Sequence, residues 1–329
     1  MNRRRQMVIA LGAATLVASL PSFAQQQRKV SRIGLLTGGA PITDDSPFGS
    51  ALIRGLSQRG YVLDRNLAFE RRAAQGQANR LPKLVDELVA SRVDVIVSFG
   101  YPPALTAKQR AGAVPIVAIG CGDPVATGLA ASLARPGGNL TGITELATEL
   151  SAKRLELLKE TVPKLRNVAL LWNTEDYGMT LRYRAADAEA RILGVTVIPL
   201  GVRDPDDFKT AFAAMTRKPP DAILMVTDAL TMLNRKQVFE FAAMHRLPAI
   251  YEYDFLVSDG GLMSYGPNLD ELYGRASALT DRILKGTRPA ELPIEQPTRF
   301  SFALNLKTAK ALGIKFPNSI LVRADKVIE

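Results

Sequence analysis

Val93-Asp94-Val95-Ile96-Val97-Ser98-Phe99-Gly100-Tyr101-Pro102-Pro103-Ala104-Leu105 runs from an apolar, β-branched stretch into a glycine and two prolines. A short apolar run bounded by turn residues reads as a strand buried on both faces. Proline is tolerated in the first turn of a helix, where its missing N–H forfeits no bond, so 102–110 reads as a helix. The apolar run 115–119 is the next strand, and a further short helix is expected at 124–134. Upstream the same unit recurs: strand 30–36, helix 48–59 closed by Gly60, strand 67–71 and helix 79–90. The second half replays it. Strand 168–172 leads to helix 180–193, closed by Gly194, then strand 195–200, helix 206–215, strand 222–226, helix 230–245 and strand 248–251. Even a phrase is answered: Val114-Pro115-Ile116-Val117 by Leu247-Pro248-Ala249-Ile250.

Strands alternating with helices of this length make βαβ units. Two such series imply an α/β chain of two doubly wound parallel-sheet lobes. Right-handed crossovers place the strand-to-helix loops of each lobe on one sheet edge, where ligands bind, so two facing edges form a cleft. The joins Gly138-Asn139-Leu140-Thr141-Gly142 and Gly260-Gly261-Leu262-Met263-Ser264-Tyr265-Gly266 are short, glycine-flanked and extended. A helix at 269–284 and a strand at 299–304 follow them, so the chain returns, and three crossings form a multi-strand hinge. The expected division is 29–142 with 267–297 for the N-terminal lobe, and 143–266 with 298–329 for the C-terminal lobe.

Composition narrows the chemistry. The chain has 329 residues, a formal net charge of +10, one Cys (Cys121) and one His (His245). No intramolecular disulfide is possible, and paired-His metal or haem ligation is excluded. Arg3, Arg4 and Arg5 precede an apolar run, 7–20, shorter than the roughly 20 residues that span a bilayer. Ser22-Phe23-Ala24 supplies small residues for cleavage after Ala24, so 1–24 reads as a secretory signal and the mature chain as periplasmic. Export by the general or the twin-arginine route stays open. The remaining basic residues are scattered among acids, as in Lys153-Arg154-Leu155-Glu156, with no basic block interleaved with aromatics, so nucleic acid is not an expected partner.

An enzyme needs a nucleophile and a base. His245 lies near a helix C-terminus, where it interacts with end carbonyls, and Cys121 lacks the partner that activates a thiolate. Gly34-Leu35-Leu36-Thr37-Gly38-Gly39 lacks the spacing of a dinucleotide loop. The sequence therefore reads as a binder, with neither catalytic residue, metal nor cofactor.

Asp123-Pro124-Val125, Ala134-Arg135-Pro136-Gly137-Gly138-Asn139-Leu140-Thr141-Gly142, Ser151-Ala152-Lys153-Arg154-Leu155-Glu156-Leu157-Leu158, Gly261-Leu262-Met263-Ser264-Tyr265-Gly266-Pro267-Asn268 and Leu292-Pro293-Ile294-Glu295-Gln296-Pro297 carry a resemblance. The chain resembles the substrate-binding proteins of ABC transporters, of the tryptophan- and phenylalanine-type family with the type I periplasmic-binding fold. The resemblance covers essentially the whole mature chain. It implies a monomeric receptor that closes over a small molecule, favouring an aromatic amino acid or related carboxylate, and delivers it to an inner-membrane permease. Members usually continue with Pro after the equivalent of Trp172-Asn173, whereas Thr174-Glu175-Asp176-Tyr177 follows here. That acidic loop disfavours a doubly anionic ligand. A secreted enzyme or a ligand-sensing receptor subunit on the same scaffold is the alternative.

The strand-end loops supply the candidate ligand contacts. Thr37, Gly38 and Gly39 offer a hydroxyl and unshielded amides. Gly100, Tyr101, Ala104 and Leu105 surround a helix start whose free amides attract an anion. Asp123 is a helix cap or a ligand contact. Asn173 and Thr227 end strands of the second lobe. Asp228 is either an N-cap or the counter-charge of a ligand ammonium. Tyr251, Glu252 and Tyr253 end the last strand, where the tyrosines either line the cleft or pack in the core. Tyr265, in a hinge crossing, is placed on the cleft floor.

Overall fold

The computed structural model describes residues 30–329, so the export signal read at 1–24 lies outside them. The chain opens with β1 (Ser31–Thr37), α1 (Pro47–Ser57), β2 (Leu67–Ala73), α2 (Leu81–Ala90), β3 (Val95–Phe99), α3 (Tyr101–Arg110), β4 (Ile116–Ile119) and β5 (Leu140–Ile143). The strands form a parallel sheet in the order β2-β1-β3-β4-β5. Strand alternation divides their apolar side chains between two cores. Val95, Val97 and Val117 join Leu52 and Leu56 of α1 on one face; Ile96, Ile116 and Ala118 join Leu84 and Leu88 of α2 on the other.

The second lobe follows as α4 (Ala147–Thr161), β6 (Asn167–Asn173), α5 (Tyr177–Ile192), β7 (Thr196–Val202), α6 (Asp207–Arg217), β8 (Ala222–Met225), α7 (Ala229–Leu233), α8 (Arg235–Met244), β9 (Ala249–Tyr251), α9 (Asp254–Ser258) and β10 (Met263–Pro267). The chain then runs through α10 (Leu269–Leu284), β11 (Phe300–Asn305), α11 (Leu306–Leu312), α12 (Asn318–Leu321) and β12 (Lys326–Ile328). Seven strands lie in the order β12-β11-β10-β9-β8-β6-β7. All pairs are parallel except β10 with β11. Read from β7 inward, this sheet repeats the connectivity of the first.

Three passages join the lobes. The chain leaves the first sheet after Ile143 and builds α4 on the second. It returns from β10 into α10, whose Leu272, Tyr273, Ala276 and Leu279 pack in the core of the first lobe. It crosses back after Leu292 and Ile294 to reach β11. The result is the expected α/β architecture of two parallel-sheet lobes. Among the described residues no helix is long and apolar enough to cross a membrane.

Two expected helices differ. Residues 124–134 are turns: the Asp123 carboxylate accepts from the amides of Val125 (2.9 Å) and Ala126 (3.0 Å), and Gly128 adopts φ +71°. A local side-chain bond of this kind competes with helix propagation. Residues 230–245 are two helices, α7 and α8, broken at Asn234 (φ −100°, ψ 7°), whose side-chain amide donates to the Leu230 carbonyl (2.9 Å).

Candidate functional site

In both sheets the first strand lies between the second and third, so the order reverses beside it. A doubly wound sheet leaves a crevice at such a switch point, outside the carboxyl ends of its strands. The two crevices face each other here and enclose a cavity of about 290 Å³. Thr37, Gly38 and Gly39 after β1 and Gly100 after β3 form one wall; Asn173 after β6 and Thr227 and Asp228 after β8 form the other. These seven sequence candidates therefore meet in one place.

The lobes touch closely around it. A Cβ at Gly38 would stand 3.3 Å from the Ala229 Cβ, and one at Gly178 would stand 3.6 Å from the Tyr101 Cβ across the cleft.

Tyr253 lines it as well, and the remaining candidates lie off this cavity. Tyr101 directs its hydroxyl to the Thr127 carbonyl (3.4 Å). Ala104 is wholly buried in the core under α2, and Leu105 packs on the same core. Asp123 is exposed and serves its own turn. Tyr251 is the last residue of β9 and is buried in the second lobe's core. Tyr265 rests against Phe300 and Phe302 of β11 instead of the cleft floor. Glu252 is one layer behind the wall. The expected amide cradle is also partly occupied: the Gly39 N–H donates to Thr37 Oγ1 (3.1 Å) and the Ala104 N–H to the Gly100 carbonyl (3.4 Å).

Sequence reading missed an aromatic cluster. Phe48, Phe99 and Tyr273 from the first lobe meet Tyr253 and Phe255 from the second, all lining the cavity. Phe48 stacks on Tyr273 at 5.7 Å and meets Phe255 edge-on at 5.5 Å, while Tyr253 stacks on Phe255 at 5.6 Å. Offset and edge-to-face contacts of this kind are favourable and build an apolar, polarisable wall. Of these rings sequence reading names only Tyr253, as a tyrosine of the cleft or the core, and nothing in the helical pattern of α10 marks Tyr273 as different from its core neighbours.

It also missed a buried ionic chain. Arg182 of α5 holds Glu145 through Nη2 (2.9 Å) and Glu252 through Nη1 (3.2 Å). Arg154 of α4 reaches Glu252 (3.6 Å) and donates to the carbonyl of Tyr265 in the hinge strand (3.0 Å). Tyr253 donates its hydroxyl to Glu145. Two arginines and two glutamates balance in charge, and all four are almost entirely removed from water. Burial, then the Glu252 charge, push the Glu145 carboxyl above its ordinary range, while Arg182 and the Tyr253 hydroxyl oppose this. Gly266 leaves room for the chain: a Cβ there would stand 2.1 Å from the Glu252 carbonyl oxygen. Gly266→Ala is therefore expected to lower stability by about 1–3 kcal/mol, the usual cost of overpacking, measurable as a reduced denaturation midpoint.

Two carboxylates remain beyond that balance. Asp228 caps α7, accepting from the Thr231 amide (2.9 Å) and from the side-chain amide of Asn173 (2.6 Å). Asp176 caps α5 and is 3% exposed. Burial and the nearby Asp228 raise its pKa to about 6, with Arg182 opposing. Cys121 is fully buried, and burial pushes its thiol to about 12, which does not suit a nucleophile. His245 terminates α8 against the Phe241 ring (4.2 Å), on a helix whose residues do not line the cavity beyond Arg235. Among the described residues no cluster of His, Cys, Asp and Glu could hold a metal ion.

The family model described as ABC transporter substrate binding protein matches residues 47–328. The tyrosine-binding protein of Clostridioides difficile is 25% identical over 263 residues, covering 80% of this chain and 75% of that protein. An ABC domain from Streptococcus pneumonia, solved with L-Trp, superposes with a TM-score of 0.82 at 24% identity, over 91% of this chain and 99% of that one. A conserved domain protein from Vibrio cholerae superposes with a TM-score of 0.84 at 23% identity, over 91% and 100%.

Proposed function

The chain belongs to the ABC transporter substrate-binding protein family, and from that premise we propose that it is a periplasmic receptor for an aromatic amino acid. It acts as a monomer, without enzymatic activity, closing its lobes over the ligand and delivering it to an inner-membrane permease. The observation that carries the ligand class is the pairing of an aromatic cluster with two unbalanced carboxylates in one cavity. A ring fits among Phe48, Tyr253 and Tyr273, and an ammonium fits between Asp176 and Asp228. The similarity to a tyrosine-binding protein and to a tryptophan-bound domain supports the same class.

Closure follows from differential contact. A ligand shifts a two-state equilibrium only by as much as it prefers one state. Here the aromatic rings come from both lobes, so a ring between them gains its full contact only when the lobes are together. The hinge passages absorb the motion while each sheet stays rigid.

Thermal denaturation of refolded protein tests the reading. L-Trp or L-Tyr at a hundred times Kd should add about 2.7 kcal/mol, a rise of several degrees. Sugars and short dicarboxylates should leave the melting temperature unchanged. A shift with sugars alone, or consumption of the compound that shifts it, would refute the proposal.

A further inference from the structure

The geometry points to a site that reads the ring and the ammonium and builds almost nothing for a carboxylate, so that aromatic monoamines lacking the carboxylate are ligands as well. This deepens the receptor reading above and rests on it.

The charges around the cavity carry the argument. Arg182 is committed to Glu145 at 2.9 Å and Glu252 at 3.2 Å. Arg235, at the mouth, is held by Asp259 at 3.1 Å and by the Met232 carbonyl. Among the described residues lining the cavity, no Lys or Arg is free of an acidic partner. Among the described residues Asp176 and Asp228 have no cationic partner within salt-bridge distance, and they stand in the loops that follow adjacent strands, β6 and β8. The fixed charge facing a ligand is therefore negative.

The opposite wall offers few donors. Pro41, Pro47, Pro102 and Pro103 contribute ring carbons where an N–H would otherwise stand. The Ala104 amide, which sequence reading assigns to an anion, and the Gly39 amide, which it reads as unshielded, already bond within the first lobe. A carboxylate placed here loses water without full replacement and faces two like charges, both unfavourable. A primary ammonium meets the reverse: three donors opposite two carboxylates with acceptor positions to spare.

Calorimetry on protein unfolded and refolded to remove copurified ligand separates the contributions. The probes are L-tryptophan, tryptamine and indole-3-propionate, with L-tyrosine, tyramine and 3-(4-hydroxyphenyl)propionate. Each amine is expected to bind within tenfold of its amino acid or more tightly, and each deaminated acid at least 100-fold more weakly. Asp176→Asn, which keeps a competent helix cap, should weaken the amines about 30-fold or more, the range for truncating one side of a buried charge pair. If the amino acids bind and the amines do not, this inference fails while the receptor reading stands. The Nε–H of Arg182 and the Thr227 hydroxyl, both buried without a partner among the described residues, would then be the groups left to hold the carboxylate. If none of the six compounds binds, the aromatic receptor reading itself fails, and this inference with it.

Discussion

Arg182→Met is expected to lower unfolding stability by about 3–5 kcal/mol, the cost of breaking a buried ion pair by removing one partner. Arg182 is 1% exposed and stands between Glu145 and Glu252, themselves 4% and 1% exposed. Removing it leaves Glu145 with no cation and Glu252 with only Arg154, at 3.6 Å, while both stay out of water. Glu145 must then protonate or unfold its surroundings. Stabilities of whole proteins lie at about 5–15 kcal/mol, so the variant should approach the unfolding threshold at 37 °C. Denaturant titration of the ligand-free protein measures it. The double variant with Glu145→Gln should regain part of the loss, because the uncompensated carboxylate goes too while Arg154 and Glu252 keep each other. An unchanged midpoint for Arg182→Met would show that water reaches the chain and that the balance drawn above is wrong. The defect should also spread to the hinge, since Glu252 binds Arg154 and Arg154 holds the Tyr265 carbonyl.

How much of this was legible beforehand depends on how local the signal is. The strand 95–99 was visible because five apolar or small residues in a row, ended by Gly100, have few other solutions. The repeat of strand and helix fixed two parallel sheets, and the sheet rule then placed Thr37, Gly100, Asn173 and Asp228 at facing edges. Position along the chain was enough for these because loop edges follow from topology. Tyr265 was misplaced, and Tyr251 stayed open between cleft and core, for the opposite reason: which side of a strand or hinge a tyrosine faces is set by packing, here by Phe300 and Phe302 for one and by Phe239 for the other. The 124–134 segment has helical spacing, yet Asp123 bonds two amides locally and Gly128 takes a left-handed turn. The ionic chain was not legible at all. Glu145, Arg154, Arg182 and Glu252 are separated by up to 107 positions (252 − 145), and only the fold brings them together.

Proton and ligand compete at Asp176. Asp176 has a pKa of about 6 in the ligand-free protein, against an ordinary value of 3.8, because burial and Asp228 oppose its charge. A carboxyl raised on folding binds more protons folded than unfolded between those values. Its contribution to stability is therefore greatest at acid pH and is lost as pH rises through about 6, amounting to about 3 kcal/mol across the window. Melting temperature of the ligand-free protein should fall from pH 5 to pH 7 by more than that of Asp176→Asn, whose residue does not titrate. Binding runs the other way. An ammonium pairs with ionised Asp176, so affinity should be level above pH 6 and decline by up to tenfold per unit below it. The decline should stop at the lower pKa that the bound ammonium imposes. In Asp176→Asn the affinity is weaker but nearly independent of pH over the same range. Calorimetric titrations between pH 4.5 and 7.5 decide the matter. An affinity that rises on acidification would place the ligand's carboxylate, not its ammonium, beside Asp176. The site would then hold the zwitterion in the opposite orientation.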